Sequence, residues 1–232
     1  KMERRQLYRA ASDSIPDSIS RKHRFLLKLL SLYEDESEVD DGGLGAAKEA
    51  TIAAIRDPVT LNSEQRSMLT KPAIQALEKS SGTEKLFQLL KIFHHGMLTD
   101  YQEFISKNPS VVKDYGLSPE ECMKNMRLLS LCSLASQHEE IPYSVIASTL
   151  QVDAEEVESW VIQGVSSGLI SAKMDQLSQV VMVERCAVRQ FGTEQWKSIQ
   201  SRLHHWKRNV KNLLQVLEHS QSISHQQHQP GK

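Results

Sequence analysis

Positions 126–135 hold Met126, Leu128, Leu129, Leu131, Cys132, Leu134 and Ala135, so apolar side chains cover most of the circumference of any helix formed there. A surface helix keeps one polar face, whereas a helix that is apolar all round is buried. Other elements must therefore cover this segment on two sides. The residues that follow supply candidates. Pro142 opens a short helix containing Ile146, Ala147 and Leu150, and Asp153 with Glu156 three positions later predicts a capping box for the next one. That helix has an inner stripe of Val157, Val161, Gly164, Val165 and Gly168, with Gly164 allowing close approach and Gly168 placed to stop it. Runs at 169–175 and 180–184 are β-branched or alternating and flank Gln176-Leu177-Ser178, which predicts a hairpin. Three helices followed by a hairpin form a winged helix.

Upstream the pattern is different. Phe25, Leu26, Leu29, Leu30 and Tyr33 recur at helical spacing, and the acid-rich stretch 34–41 runs into Gly42, Gly43 and Gly45, which predicts a solvated loop before an Ala-rich helix over 44–55. Asp57-Pro58 ends that helix, because proline disfavours a helical residue before it. Thr70 and Pro72 start another towards Leu77. Leu86, Leu89, Leu90 and Phe93 then form one stripe, and Leu98, Tyr101, Phe104 and Ile105 form an answering stripe beyond Gly96. Helix, break and helix at roughly 35 residues per pair is the organisation of an α-solenoid. The fold class expected is mainly α: helical repeats over 1–118, a winged helix over 119–187, a C-terminal bundle helix over 188–218 and a disordered tail over 219–232.

That C-terminal helix carries Trp196, Ile199, Leu203, Trp206, Val210, Leu213 and Leu217 at alternating spacings of three and four, a heptad seam. Lys197, Arg202, Lys207, Arg208 and Lys211 lie on its other faces. The seam either folds back on its own domain or joins helices of a partner; three sustained heptads with two tryptophans favour the partner.

Charge and cysteine usage exclude several roles. Lys+Arg at 28 against Asp+Glu at 29 leaves no global field to attract nucleic acid. The predicted third winged-helix segment carries Asp153, Glu155, Glu156 and Glu158 and no cation, so it would repel the phosphates a DNA-reading helix approaches. Incidental RNA contact through Lys107, Lys113, Lys124 or Arg127 is the remaining nucleic-acid reading. Cys122, Cys132 and Cys186 form no close pair, the usage of a reducing compartment, and each reads as a small buried hydrophobe. The adjacent pairs His94-His95 and His204-His205 point to different sides of a helix, and His138-Glu139-Glu140 lacks the second histidine of a zinc-hydrolase helix. Gly42-Gly43-Leu44-Gly45 lacks the Lys-Ser/Thr of a phosphate-binding loop. No catalytic, cofactor-binding or metal-ligating residues are assigned, no cofactor is expected, and no apolar run reaches the roughly 20 residues of a membrane span. A cytoplasmic protein is expected, and Lys1, falling inside a helical pattern, implies the C-terminal piece of a longer one.

Residues 168–176, Gly-Leu-Ile-Ser-Ala-Lys-Met-Asp-Gln, and 180–185, Val-Val-Met-Val-Glu-Arg, following an acidic third helix, resemble the signature of PCI domains. Gly164-Val165 and Met174 depart from the family's commoner Ala-Ile and Ile but keep shape and polarity. Met126-Arg127-Leu128-Leu129, Phe191-Gly192 with Gln195-Trp196, Trp206-Lys207 and Leu69-Thr70-Lys71-Pro72 resemble the branch of that family found in eukaryotic translation initiation factor three, with the subunit-seven type of the signalosome as the alternative. The resemblance implies a non-catalytic scaffold whose partners are other PCI and MPN subunits of the same complex and, indirectly, the small ribosomal subunit. Two partner surfaces follow. One is a winged-helix edge, Lys173, Asp175, Gln176, Val181 and Val183, with 180–184 as the exposed edge strand. The other is the seam of the C-terminal helix.

Overall fold

The computed structural model of the protein describes residues 2–15, 18–58, 68–189 and 193–226. Residues up to 190 form one compact unit and those from 191 onward a second.

The first unit begins with α1 (Met2–Asp13), α2 (Ile19–Leu30) and α3 (Asp41–Arg56). It continues through α4 (Pro72–Lys79), α5 (Glu84–His95), α6 (Leu98–Lys107) and the short α7 (Val111–Asp114). Their inner faces form one apolar core that includes Leu30, Ile55, Ile74, Leu89 and Tyr101. Phe93 meets Tyr101 edge to face at 5.8 Å between ring centroids, joining the two stripes read around Gly96.

Helix α3 corrects the reading of the glycines. It begins at Asp41 and runs straight through Gly42, Gly43 and Gly45. Asp40 caps it, its carboxylate accepting from the Gly43 amide at 2.7 Å and from the Tyr33 hydroxyl at 2.8 Å. A Cβ on Gly43 would lie 2.6 Å from the Tyr33 ring, so that glycine serves close packing and not chain breakage. The acidic stretch before it is also tied down. Glu36–Glu38 forms a 3₁₀ turn, Glu38 pairs with Arg5 at 3.0 Å, and Glu36 pairs with Lys79. Arg5 in turn lies over the Tyr33 ring at 3.9 Å.

Helix α8 (Pro119–Ala135) starts with Ser118 as its N-cap and Pro119 in the first turn. After it come β1 (Glu140–Pro142), α9 (Tyr143–Leu150), a 3₁₀ turn (Ala154–Glu156), α10 (Val157–Ser166), β2 (Ile170–Asp175) and β3 (Val180–Cys186). The sheet order is β1-β3-β2, antiparallel throughout, with Ile141 opposite Val181 and Met174 also opposite Val181 from the other side. A second core, containing Leu131, Ile146, Leu150, Val157, Val161 and Val181, lies between this sheet and the three helices. The expected winged helix is present, with one strand, β1, that the sequence did not announce.

Three local expectations fail. Asp153 makes no side-chain cap bond, because its backbone carbonyl already accepts from the Glu156 amide at 3.0 Å in the 3₁₀ turn. Val165 is exposed: Gly164 faces Leu131 and Ile170, and one residue further along a helix is turned by about 100°. Strand 180–184 is the centre of the sheet, not its edge.

The second unit is α11 (Thr193–Gln226). It continues past 218, where the sequence reading placed a disordered tail. Apolar periodicity ends there, but 219–226 contains neither proline nor glycine, and an established helix propagates at little cost. Residues 227–232, and Phe191-Gly192 before the helix, lie outside the described residues.

Candidate assembly surfaces

The winged-helix edge predicted from sequence divides in two. Val181 is buried, and Val183 is half-buried with its amide donating to the Glu139 carbonyl at 2.7 Å. Neighbours on both sides use the backbone of β3, so these two valines are interior residues of the sheet. The outer strands are β1 and β2, and the longer of them is β2, whose one partner among the described residues is β3. Lys173 and Asp175 lie on it. Lys173 is exposed and pairs with Glu184 at 2.7 Å, which raises the ammonium's pKa and lowers the carboxylate's. A register shift between Ser171 and Ala172 interrupts the ladder near the start of the strand, a common device for limiting edge pairing.

Asp175 builds the wing tip. Its carboxylate accepts from the amides of Leu177 at 3.0 Å and Ser178 at 3.1 Å, and from the Ser178 hydroxyl at 2.8 Å, which holds it below the usual carboxylate range. The turn leaves Leu177 fully exposed. Gln176 donates to Glu158 at 3.0 Å, and Tyr143 donates to the same carboxylate at 3.2 Å, so the tip is tied to the acidic third helix. Of the predicted edge residues, the structure brings together Lys173, Asp175 and Gln176 and withdraws Val181 and Val183.

On α11 the seam is open. Trp196, Ile199, Leu203, Trp206 and Leu213 are exposed, Trp206 by 66%, and Val210 is partly buried. The Leu217 side chain lies outside the described residues. Leu214 and Val216, which the seam did not include, are also exposed and flank Leu213. In heptad terms they occupy the e and g positions, so the apolar stripe widens from a narrow seam at Trp196 to a broad face near Leu213. Covering large apolar side chains yields ~1.5 to 3 kcal/mol each. A lone helix in water obtains none of it.

One residue that sequence reasoning missed ties the first unit together. Arg189 follows β3 and is 7% exposed. Its guanidinium donates to the carbonyls of Phe93 at 2.8 Å, Gly96 at 3.0 Å and Leu129 at 3.2 Å, and to the Ser133 hydroxyl at 2.7 Å. The chain leaving the winged helix is thereby fastened to the end of α5, the α5–α6 connection and α8. Burial lowers its pKa to about 10. Nearby, the Cys132 thiol donates to the Ala187 carbonyl at 2.8 Å and burial pushes it up to about 12, while burial pushes Cys122 to about 11. Thiols held protonated in this way make poor nucleophiles and metal ligands. Arg127, a candidate for RNA contact, instead caps α9 by donating to Leu150 at 3.1 Å and lies over Trp160 at 5.4 Å. Lys107 pairs with Glu103 at 2.6 Å. Among the described residues no helix is long and apolar enough to cross a membrane.

Comparison with known proteins adds two family matches. Residues 98–185 match the PCI domain, and residues 189–217 match the C-terminal helix of eIF3 subunit M. The second match opens at Arg189 and covers the seam. Over 225 residues the chain is 35% identical to eukaryotic translation initiation factor 3 subunit M of Dictyostelium discoideum, covering 95% of this chain and 55% of that protein. Subunit M of Nematostella vectensis is 30% identical over 223 residues, 95% of this chain and 56% of the relative. Subunit M of Aspergillus oryzae is 40% identical over 153 residues, 62% and 32% respectively. The chain therefore spans about half the length of the curated relatives it matches, or less. This similarity runs to initiation-factor subunits and does not favour the signalosome alternative.

Proposed function

The chain is a PCI-domain protein similar over nearly its whole length to subunit M of eukaryotic translation initiation factor 3, and from that premise we propose that it is a non-catalytic scaffold subunit of that complex. It acts in the cytoplasm by holding other PCI and MPN subunits in place while the preinitiation complex assembles on the small ribosomal subunit. The observation that carries this reading is the exposed seam on α11, within the segment that matches the family's C-terminal helix. An apolar face of that length is stable in solution only when other helices cover it. Strand β2, with Lys173, Asp175 and Gln176 at its end, offers a second surface, where a neighbouring module can extend the sheet.

The test is recovery of the assembly with a tagged Trp206→Ala, Leu213→Ala chain. The variant is expected to stay folded and to lose the other initiation-factor subunits through a high-salt wash that the unaltered chain survives. Equal recovery of those subunits would refute the seam as the assembly surface.

A further inference from the structure

The residues that border the seam decide which helix can cover it. With Trp196 at heptad position a, the e positions are Gln200, Lys207 and Leu214, and the g positions that follow are Arg202, Asn209 and Val216. All six side chains are exposed, and Gln200 and Lys207 line a groove together with Trp196, Ile199 and Leu203. Each flank of the seam thus carries one cation, Lys207 on one side and Arg202 on the other, and neither flank carries an acid. The nearest acids in the sequence, Glu194 and Glu218, take f and b positions, which a helix packed on the seam does not border.

A second copy of this chain is the simplest occupant of an apolar heptad, and the flanks oppose it. In a parallel pair of helices, a g residue of one meets the e residue of the next heptad in the other. That register sets Arg202 of each copy against Lys207 of the other, twice by symmetry, and Asn209 against Leu214. An antiparallel pair matches e with e and g with g, again cation with cation or with a neutral residue. Because no e or g position holds an acid, no direction or register of self-pairing creates an attractive ion pair along the flanks. Like charges at neighbouring helix positions destabilise the pairing, and Lys207 borders the apolar groove itself, so the repulsion falls at the contact. A helix with an apolar seam of its own and Asp or Glu beside it reverses both effects. It covers the same stripe and turns Arg202 and Lys207 into ion-pair partners. Specificity is a difference between two affinities, and one pair of cations here acts on both.

We propose that Arg202 and Lys207 select the occupant of the seam: they exclude a second copy of this chain and favour helices of other subunits that carry Asp or Glu at the positions flanking their apolar stripe. The inference rests on the seam being the assembly surface and adds the chemistry of the helices it takes.

The experiment reverses one charge. Lys207→Glu sets a carboxylate against Arg202 across a pair of copies and against the acids of the proposed partner helix. A glutamate at that position also stands four residues before Lys211, a spacing that supports the helix, so the variant keeps α11 intact. In sedimentation equilibrium of the purified full chains at physiological salt, Lys207→Glu is expected to self-associate about tenfold more tightly than the unaltered chain. The Arg202→Glu, Lys207→Glu double variant should return to weak association, because carboxylates then face each other. In cells expressing the unaltered and variant chains under different tags, Lys207→Glu should recover the other initiation-factor subunits about fivefold less well and the double variant less well again, with the gap narrowing as the wash salt rises. Self-association of the unaltered chain as tight as that of Lys207→Glu overturns the exclusion of a second copy. Undiminished recovery of the subunits by both charge variants overturns the preference for acidic flanks. The Trp206→Ala, Leu213→Ala chain separates this inference from the reading beneath it: if that chain keeps the assembly, the seam itself fails, whereas its loss alongside undiminished recovery by the charge variants refutes the selectivity alone.

Discussion

Replacing Arg189 by alanine should be among the most damaging single changes in the first unit. Its guanidinium is 7% exposed and makes four hydrogen bonds, at 2.7, 2.8, 3.0 and 3.2 Å, to Ser133, Phe93, Gly96 and Leu129. Bonds from a charged donor contribute about 1.5 to 3 kcal/mol each, or roughly 6 to 12 kcal/mol in total before opposing terms. Opposing them is the cost of burying the charge. That cost is what lowers the guanidinium's pKa to about 10, and the buried Nε adds to it because it has no hydrogen-bond partner among the described residues. Truncation removes the four bonds and leaves buried carbonyl oxygens without donors, which is where the loss arises. Arg189→Ala is expected to lose about 3 to 5 kcal/mol in equilibrium urea unfolding, and Arg189→Lys about 1 to 2 kcal/mol, since an ammonium keeps the charge but not the planar fork. Arg189→Met should fall between them, restoring volume without donors. An alanine variant within about 0.5 kcal/mol of the unaltered chain would refute the claim that this guanidinium fastens the winged helix to the repeats.

Gly43→Ala should destabilise despite the higher helix propensity of alanine, which favours it by about 1 kcal/mol. The new Cβ would sit 2.6 Å from a Tyr33 ring pinned by Asp40 and Arg5, so urea unfolding should register a net loss of about 1 to 2 kcal/mol, and a net gain would refute the packing role. The Tyr33 hydroxyl and the Gly43 amide hold the Asp40 carboxyl below its usual value of 3.8, so its contribution is present above pH ~4 and is lost as pH falls through the lowered value. Tyr33→Phe should shrink that acid-side loss, measured as the stability difference between neutral and acidic pH. In native protein a thiol-specific reagent should label Cys186 first, while the buried Cys122 and Cys132 react only on unfolding; equal rates for all three would contradict their burial.

Much of this architecture could be read from periodicity, because helix stripes and a β-hairpin declare themselves over many residues. The failures occurred where one residue admits two physical roles. Gly42, Gly43 and Gly45 were read as breakers, yet Asp40 caps the helix that contains them and Tyr33 needs the space a side chain would fill. Strand β1 is three residues long and includes a proline, too short to show alternation, and missing it turned β3 from a central strand into an apparent edge. That single omission moved Val181 and Val183 onto the surface. Arg189 carries no local signal at all: its four acceptors lie 56 to 96 positions earlier in the chain, and three of them are backbone oxygens, which any residue supplies. The seam was legible as an apolar stripe, because a spacing of three and four sustained over three heptads declares itself, whereas the pattern alone left open whether the chain's own domain or a partner covers it.

Helix α8 explains why a repeat array and a winged helix form one unit here. Cys122, Met126 and Leu129 enter the core of the repeats, while Leu128, Leu131, Cys132, Leu134 and Ala135 enter the core of the winged helix. Leu128 and Leu129 are neighbours in the chain but, about 100° apart on the helix, serve different cores. The helix also couples the two parts through polar groups: the Ser130 hydroxyl accepts from the Leu98 amide at 2.9 Å, and Leu129 and Ser133 receive Arg189. Position 118/119 therefore marks a change of architecture but not a break in packing, since removing α8 from either side would expose a wall of that core. For the proposed scaffold role this arrangement has a mechanical consequence. The orientation of β2 and the wing tip relative to the repeats is set by a shared buried helix, so a partner docking there would meet a preformed surface and lose little binding free energy to ordering it.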